Sequence, residues 1–412
     1  MSKIKITLAI AASYFIFAIL LNSVGTVILQ AINTLGVSKT EASVLEGFKD
    51  LSIAIMSFVV ASFIPRLGYK LAMLLALIVV AIACLSTAVI SDFYMFKVLF
   101  AAVGCGFAVV KVSVYSIIGQ VTEDANSHSS LLNTIEGIFM VGVLSGYWVF
   151  TAFIDPVDSN AWLNVYYVLA ALTLLVIISV VIAPIKPAIK GQKSNSGWSD
   201  FIAMLKLTYQ PLVLIFIISA FLYVLIEQGV GTWLPTFNNQ VLQLPVAISI
   251  QLASIFAAAL ALGRLVAGQV LKHIHWFVVL SCCLVAMAAL IIITLPLTEN
   301  LPKSEVNSLF DAPLAAFVLP LIGFFMAPIY PVLNSVMLSA LQKHKHAAMT
   351  GLIVVFSALG GTTGSVITGY VFEHFSGQYA FYLSLVPISL IFISVIIFKK
   401  RTHAISQHAV NS

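Results

Sequence analysis

IKPAIKGQKSNSGWSD, residues 185–200, is the longest interval of this 412-residue chain without an apolar run. Its mixture of Lys, Gly and Ser is a linker composition, and the sequence on both sides is of another kind. Hydrophobic residues make up 61% of the chain and charged residues 8%, well above the roughly 45–50% apolar share of soluble domains. A spanning helix needs about 20 apolar residues. Apolar runs fall near 6–30, 42–63, 71–91, 93–120, 129–153 and 161–183 before the linker, and near 212–238, 247–271, 276–296, 312–341, 347–372 and 378–398 after it. Six on each side predict an all-α membrane protein of twelve transmembrane helices. Its parts would be an N-terminal six-helix half at 1–184, a cytoplasmic linker at 185–206, a C-terminal six-helix half at 207–400 and a cytoplasmic tail at 401–412. A parallel pair of six-helix halves is a transporter layout.

Charge sets the orientation. With both termini inside, the inner face gathers Lys3, Lys5, Arg66, Lys70, Lys186, Lys190, Lys193, Lys206, Lys272, Lys343, Lys345, Lys399, Lys400 and Arg401, while the outer loops hold little beyond Lys39 and Lys303. The positive-inside rule therefore predicts N-in, C-in, in a multi-pass protein of a bacterial inner membrane. The apolar run after Lys3 and Lys5 is too long for a signal-peptide core and reads as an uncleaved first span. The net charge of +5 is spread over membrane-flanking loops, which excludes a nucleic-acid patch. Cys84, Cys105, Cys282 and Cys283 lie in apolar runs without metal or disulfide spacing and read as packing residues. His344 and His346 belong to a basic inner loop. No catalytic constellation, metal site, cofactor motif or phosphate-binding GxxxxGK[ST] loop is present, so the chain is not read as an enzyme, and energy must come from an ion gradient or the solute itself.

A short echo links the halves: Ser23-Val24-Gly25-Thr26 in span 1 and Gly229-Val230-Gly231-Thr232 in span 7. After span 2, Ile64-Pro65-Arg66-Leu67-Gly68-Tyr69-Lys70 resembles the basic loop between spans 2 and 3 of the major facilitator superfamily, with Pro65 where many members carry an aspartate. Gly263-Arg264 with Gly268 and Lys272 resembles a degenerate second copy. Within the superfamily the chain resembles the fucose permease-like branch of sugar and proton symporters. Asn133 and Gly137 in span 5, the Ala327-Pro328-Ile329-Tyr330-Pro331 break in span 10, and Gly360, Gly361 and Gly364 in span 11 carry that resemblance. It implies a major facilitator fold and transport of a sugar with protons. It also implies an acid in span 1 and another in span 4, where this chain has Asn22-Ser23-Val24-Gly25 and Lys111. Coupling, if present, has moved elsewhere.

Six of the charges inside the apolar runs stand out: Glu46, Lys49, Asp50, Lys111, Glu136 and Glu227. Ionisable groups in lipid cost about 2.5–3.5 kcal/mol each on insertion scales and usually face a bundle interior or a watery path. Lys111 and Glu136 lie roughly 18–19 Å from the Glu123-Asp124 turn on antiparallel spans, which predicts an ion pair serving either as a structural bridge or as a proton-sensitive, solute-binding pair. Glu46, Lys49 and Asp50 share one helical face near the outer end of span 2, where they are expected to snorkel into an aqueous vestibule. Glu227 has no obvious basic partner and stands before Gln228-Gly229-Val230-Gly231-Thr232-Trp233-Leu234-Pro235, where two glycines and a proline loosen the helix. A broken helix lining a cavity exposes backbone groups to a solute.

The expected proton-coupling residues are accordingly Glu136, Glu227 and Glu46. The expected solute-binding residues are Lys111, Asn22, Asn133, Gln228, Trp233, Tyr330 and Asn334, with Tyr115 and Ser357 as further polar candidates. The sequence is thus expected to encode a monomeric secondary active transporter that moves a small polar solute, a sugar or related metabolite, by alternating access with a proton as coupling ion and lipid as surroundings. The alternatives are a proton-driven exporter of drugs or metabolites, a carrier of an anionic or zwitterionic metabolite, and a solute receptor built on a transporter fold. An unneutralised Lys111 would favour the anionic solute, because a free ammonium attracts a carboxylate or phosphate.

Overall fold

The computed structural model describes residues 2–122, 124–185, 205–299, 306–342 and 345–410, and the regular structure in them is helical throughout. The expected linker at 185–206 lies almost wholly outside the described residues, as do Glu123, Lys303, Lys343 and His344.

The first part of the chain forms α1 (Ser2–Asn22), α2 (Val24–Leu35), α3 (Lys39–Leu67), α4 (Tyr69–Val89), α5 (Phe93–Val121), α6 (Ala125–Thr151) and α7 (Val165–Ile182). The second part forms α8 (Pro211–Gly231), α9 (Leu234–Gln240), α10 (Val246–Val270), α11 (Trp276–Thr294), α12 (Leu314–Val318), α13 (Ile322–Met326), α14 (Ile329–Ala340), α15 (His346–His374), α16 (Gly377–Tyr382) and α17 (Leu385–Val410). Local chemistry marks several starts. Asp92 accepts from the Tyr94 N–H at 2.6 Å and caps α5, Asp124 accepts from the Ser127 N–H at 2.8 Å and caps α6, and Pro211 opens α8 where its missing N–H is not needed. The backbone hydrogen bond from Ser127 holds the Asp124 carboxyl below the usual carboxylate range.

Among the described residues eleven helices are long and apolar enough to cross a membrane. The run expected at 42–63 lies within α3, a 29-residue helix with Glu41, Glu46, Lys49 and Asp50 in its first half. Four expected spans are interrupted. Span 1 breaks at Ser23 between α1 and α2, span 7 breaks between Gly231 and Leu234, span 10 is divided among α12, a 3₁₀ turn at Leu319–Leu321, α13 and α14, and span 12 breaks between Tyr382 and Leu385. The first break falls on the first residue of the Ser23–Thr26 segment and the second on the last residue of the Gly229–Thr232 segment, so the first helix of each half is broken beside the echo, about one turn out of register.

By contacts the chain divides into two compact units, one of residues 1–38 with 44–197 and one of residues 39–43 with 198–412. In the first, α4 packs on α5 and α7, and α1 on α6; Phe96, Trp162 and Tyr166 stack beneath them with ring centroids 5.4–6.3 Å apart. In the second, α8 packs on α15 and α17. Apolar burial against a neighbouring helix gains little when the alternative is lipid, so close packing depends on small residues. A Cβ at Gly360 or Gly364 of α15 would collide with the main-chain oxygens of Phe221 and Leu225 in α8, and one at Gly229 would lie 2.8 Å from the Thr368 hydroxyl. Replacing Gly364 by Val is expected to destabilise the second unit by about 1–3 kcal/mol, seen as a lower melting temperature of the purified protein, while Gly119→Val, where a Cβ meets open space, leaves it near wild type.

Candidate functional site

In the first unit the exposed Lys111, Tyr115 and Asn133 and the half-buried Glu136 lie on α5 and α6. Lys111 and Glu136 do not form the expected ion pair. Tyr115, one turn further along α5, donates its hydroxyl to Glu136 Oε1 at 2.8 Å. Among the described residues no carboxylate lies within 4 Å of the Lys111 ammonium. Nζ sits instead 5.7 Å from the centroid of Phe107 and 5.9 Å from that of Tyr115, where the ring quadrupoles attract a cation. Equal distance from a turn aligns Cα positions, but the phenol of Tyr115 bridges the rise of about 6 Å in one helical turn and takes the carboxylate.

Tyr14 of α1 completes the group. Its ring meets Phe107 at 6.0 Å and Phe139 at 5.8 Å, and its hydroxyl is within electrostatic reach of Tyr115 and Glu136. Tyr14 is only 1% exposed, yet that hydroxyl makes no hydrogen bond within 3.5 Å. Asn22 belongs elsewhere: its amide donates to the Ala18 carbonyl at 2.9 Å, beside the break at Ser23.

In the second unit the carboxylate of Glu227 and the guanidinium of Arg264 both act on the hydroxyl of buried Tyr223, which Glu227 also reaches as a hydrogen-bond partner. Glu227 therefore has a base in its neighbourhood, contrary to expectation: Arg264 lies within α10 rather than in a basic loop. Tyr223 stacks on Tyr330 with centroids 5.3 Å apart and planes at 26°, and the Tyr330 hydroxyl shares a 2.9 Å hydrogen bond with Ser357. Asn334, one turn beyond Tyr330 on α14, interacts with the same hydroxyl while its side-chain oxygen is buried without a partner. Gln228 accepts from Thr232 at 3.0 Å and stays half-buried beside the break. Trp233 corrects the sequence reading. Its indole is fully buried, donates to Ser365 at 3.1 Å and tilts against Phe372, so it anchors the break instead of presenting a face to solute.

Glu46, Lys49 and Asp50 require a second correction. They are 0%, 7% and 9% exposed, so they lie in the protein interior and not in an aqueous vestibule. Lys49 is ion-paired to Glu46 and lies 3.5 Å from Asp50 Oδ1. The burial comes from α5, where Gly104 lets the main chain of α3 approach so closely that a Cβ would collide with the Lys49 carbonyl. Tyr147 of α6 is within the field of both Lys49 and Glu46. Among the described residues no cluster of three or more His, Cys, Asp or Glu could hold a metal ion.

The sequence from residue 10 to residue 319 matches the Major Facilitator Superfamily. The chain belongs to that superfamily. No curated relative matches its sequence. Its fold aligns with a crystal structure of a mutant of the nucleoside transporter NupG at TM-score 0.77 and 16% identity, covering 97% of this chain and 100% of the other. It aligns with the E. coli fucose:proton symporter FucP at 0.60 and 15%, covering 97% and 99%, and with the D-xylose-proton symporter at 0.69 and 12%, covering 97% of each. At such identities the likeness is one of fold.

This major facilitator chain is thus a transporter and a multi-pass membrane protein; Tyr14 and Tyr223 are the members of its polar clusters that a search for charges overlooks, and Arg264 is a charge inside the run at 247–271 that the basic-element reading sets aside. The available signal is spacing: Tyr115 follows Lys111, and Tyr223 precedes Glu227, by four residues on one helical face. For the triad, Lys49→Met leaves two carboxylates buried without their cation. It is expected to cost about 3–5 kcal/mol and to lower the melting temperature far more than Lys97→Met, whose ammonium lies over Phe93 at the start of α5.

Proposed function

We propose that this transporter moves a small polar, hydroxylated solute by alternating access, coupled to protons. One observation carries the reading. Each unit holds, within a membrane-spanning segment, a partly accessible carboxylate engaged by a tyrosine hydroxyl: Glu136 with Tyr115, and Glu227 with Tyr223. At Glu136 the phenol brings a dipole and not a charge, at Glu227 Arg264 lies in the same cluster, and carboxylates inside membrane-spanning segments are the groups on which proton relays of transporters are built. A proton or solute that binds one facing state better than the other shifts the population between them by that difference in affinity.

The solute class is supported by the side chains beside these acids. Asn133, Gln228, Tyr330, Ser357 and Asn334 offer donors and acceptors, and aromatic rings lie next to them. A nucleoside, fucose and D-xylose, the solutes named for the structural neighbours, are all hydroxylated rings. In this reading twelve helices span a bacterial inner membrane, α3 included, with both termini inside, and the protein works as a monomer. Glu46 contributes as an internal acid that shares Lys49 with Asp50.

Purified protein in proteoliposomes is expected to accumulate its solute when an inward pH gradient is imposed. Glu136→Gln and Glu227→Gln are each expected to lower gradient-driven uptake by about tenfold or more while leaving solute counterflow measurable, because counterflow needs no net proton movement. Uptake indifferent to the gradient, and unchanged in both variants, would remove the coupling.

A further inference from the structure

The geometry points to Lys111 as the recognition site for an acid group on the solute: we infer that the ligand held by the first unit is a small hydroxylated monocarboxylic acid. This deepens the proposed function and rests on it for calling the ligand a cargo.

Lys111 stands ten residues before the end of α5 at Val121, in a 29-residue helix about 43 Å long, so a roughly 30 Å hydrocarbon layer centred on that helix places it about 9 Å inside the layer's edge. That is beyond easy reach of the interface for its four-carbon stem. Its ammonium is nonetheless exposed on the unit and, among the described residues, has no carboxylate within 4 Å. The nearby acid is already engaged, since Tyr115 donates to Glu136. A cation held at that depth over two rings is a costly arrangement unless an anion completes it.

Three observations narrow the anion. Lys111 and Glu136 together carry no net charge, so a carboxylate adds one negative charge to the cluster and a dianionic phosphate adds two, and Glu136 repels the dianion the more. Second, the Tyr14 hydroxyl is buried, unpartnered and within the field of Tyr115 and Glu136. A buried hydroxyl without a partner carries a desolvation cost that a ligand hydroxyl removes. Asn133, one turn from Glu136 on the same face of α6, adds an amide. Third, Tyr14, Phe107 and Phe139 form a three-ring cluster with centroids 5.7–6.0 Å apart, an apolar wall for the C–H face of a carbon skeleton. A cation, hydroxyl partners and an aromatic wall in one cluster describe a sugar acid better than a neutral sugar.

The test is calorimetric titration of full-length protein in detergent with D-gluconate, D-galactonate and D-glucuronate, each beside its neutral counterpart, D-glucose or D-galactose. At least one acid is expected to bind about tenfold or more tightly than its counterpart, and more weakly as salt is raised. Lys111→Gln is expected to abolish the preference, Lys111→Arg to keep it because the charge remains, and Lys97→Gln to leave it unchanged. Melting curves of each variant separate lost binding from lost folding, and the salt dependence of the unaltered protein supplies a test that no substitution can confound. A panel in which no acid binds in preference to its counterpart, or a preference that survives in Lys111→Gln, overturns the inference. Counterflow separates it from the transport reading: a neutral sugar exchanged equally by wild type and Lys111→Gln sinks the acid site and leaves transport standing. Lys111-dependent binding of an acid that is never exchanged does the reverse.

Discussion

A charge in hydrocarbon has no water to turn to, and the placement of every functional group in this protein follows from that. The chain answers the constraint in three ways. In α3 it pairs two acids with one lysine and closes the protein around them. At Glu136 and Glu227 it gives each acid a tyrosine hydroxyl and leaves it partly accessible. At Lys111 it supplies two aromatic faces and, among the described residues, no acid within 4 Å. These answers differ in how firmly they hold a charge. A buried ion pair is strongly destabilised when one partner is lost, a carboxylate on a phenol is held by a dipole, and a cation over a ring retains capacity for an anion. The three form a series from scaffold to site.

Backbone follows the same logic. Helices that break within a membrane must re-satisfy the freed groups with protein, and the breaks at Ser23 and after Gly231 have identifiable partners. Ser23 returns its hydroxyl to the Leu20 carbonyl at 2.8 Å. At the break after Gly231, Thr232 donates to Gln228, and Trp233 ties the turn to Ser365. Gly229 before that break and Gly364 opposite it remove the side chains that would hold α8 and α15 apart. The break is therefore braced on α15, and Glu227 is carried on the α8 side of it, two residues before Gly229 and four before Gly231.

What could be read in the sequence was whatever depends on composition alone. Apolar runs announce spanning helices without reference to neighbours, and Gly, Pro and the Ser23–Thr26 and Gly229–Thr232 echo announce the breaks. What could not be read depends on the facing helix. Glu46, Lys49 and Asp50 look like a polar face near a helix end until Gly104 of α5 draws the two main chains together. Lys111 and Glu136 look paired when distances are measured along helix axes, because that arithmetic ignores the length of Tyr115. Arg264 resembles part of a basic loop by its neighbours in sequence, yet α10 continues through it. Trp233 carries the composition of a sugar-binding residue and does the work of a bolt.

The departure from the fucose permease-like pattern gains a physical meaning from these placements. A branch member is expected to hold an acid in span 4, where this chain has Lys111, and the acid here is Glu136 on the adjoining helix, engaged by Tyr115. Lys111 on α5 and Glu136 on α6 sum close to neutral, yet each keeps its own partners, two rings for the cation and a phenol for the acid. A neutral sugar gains nothing from such a separation of charge. At the proposed site a solute with a negative end and a hydroxylated end would be oriented by it, and orientation is what lets a transporter distinguish one end of its cargo from the other.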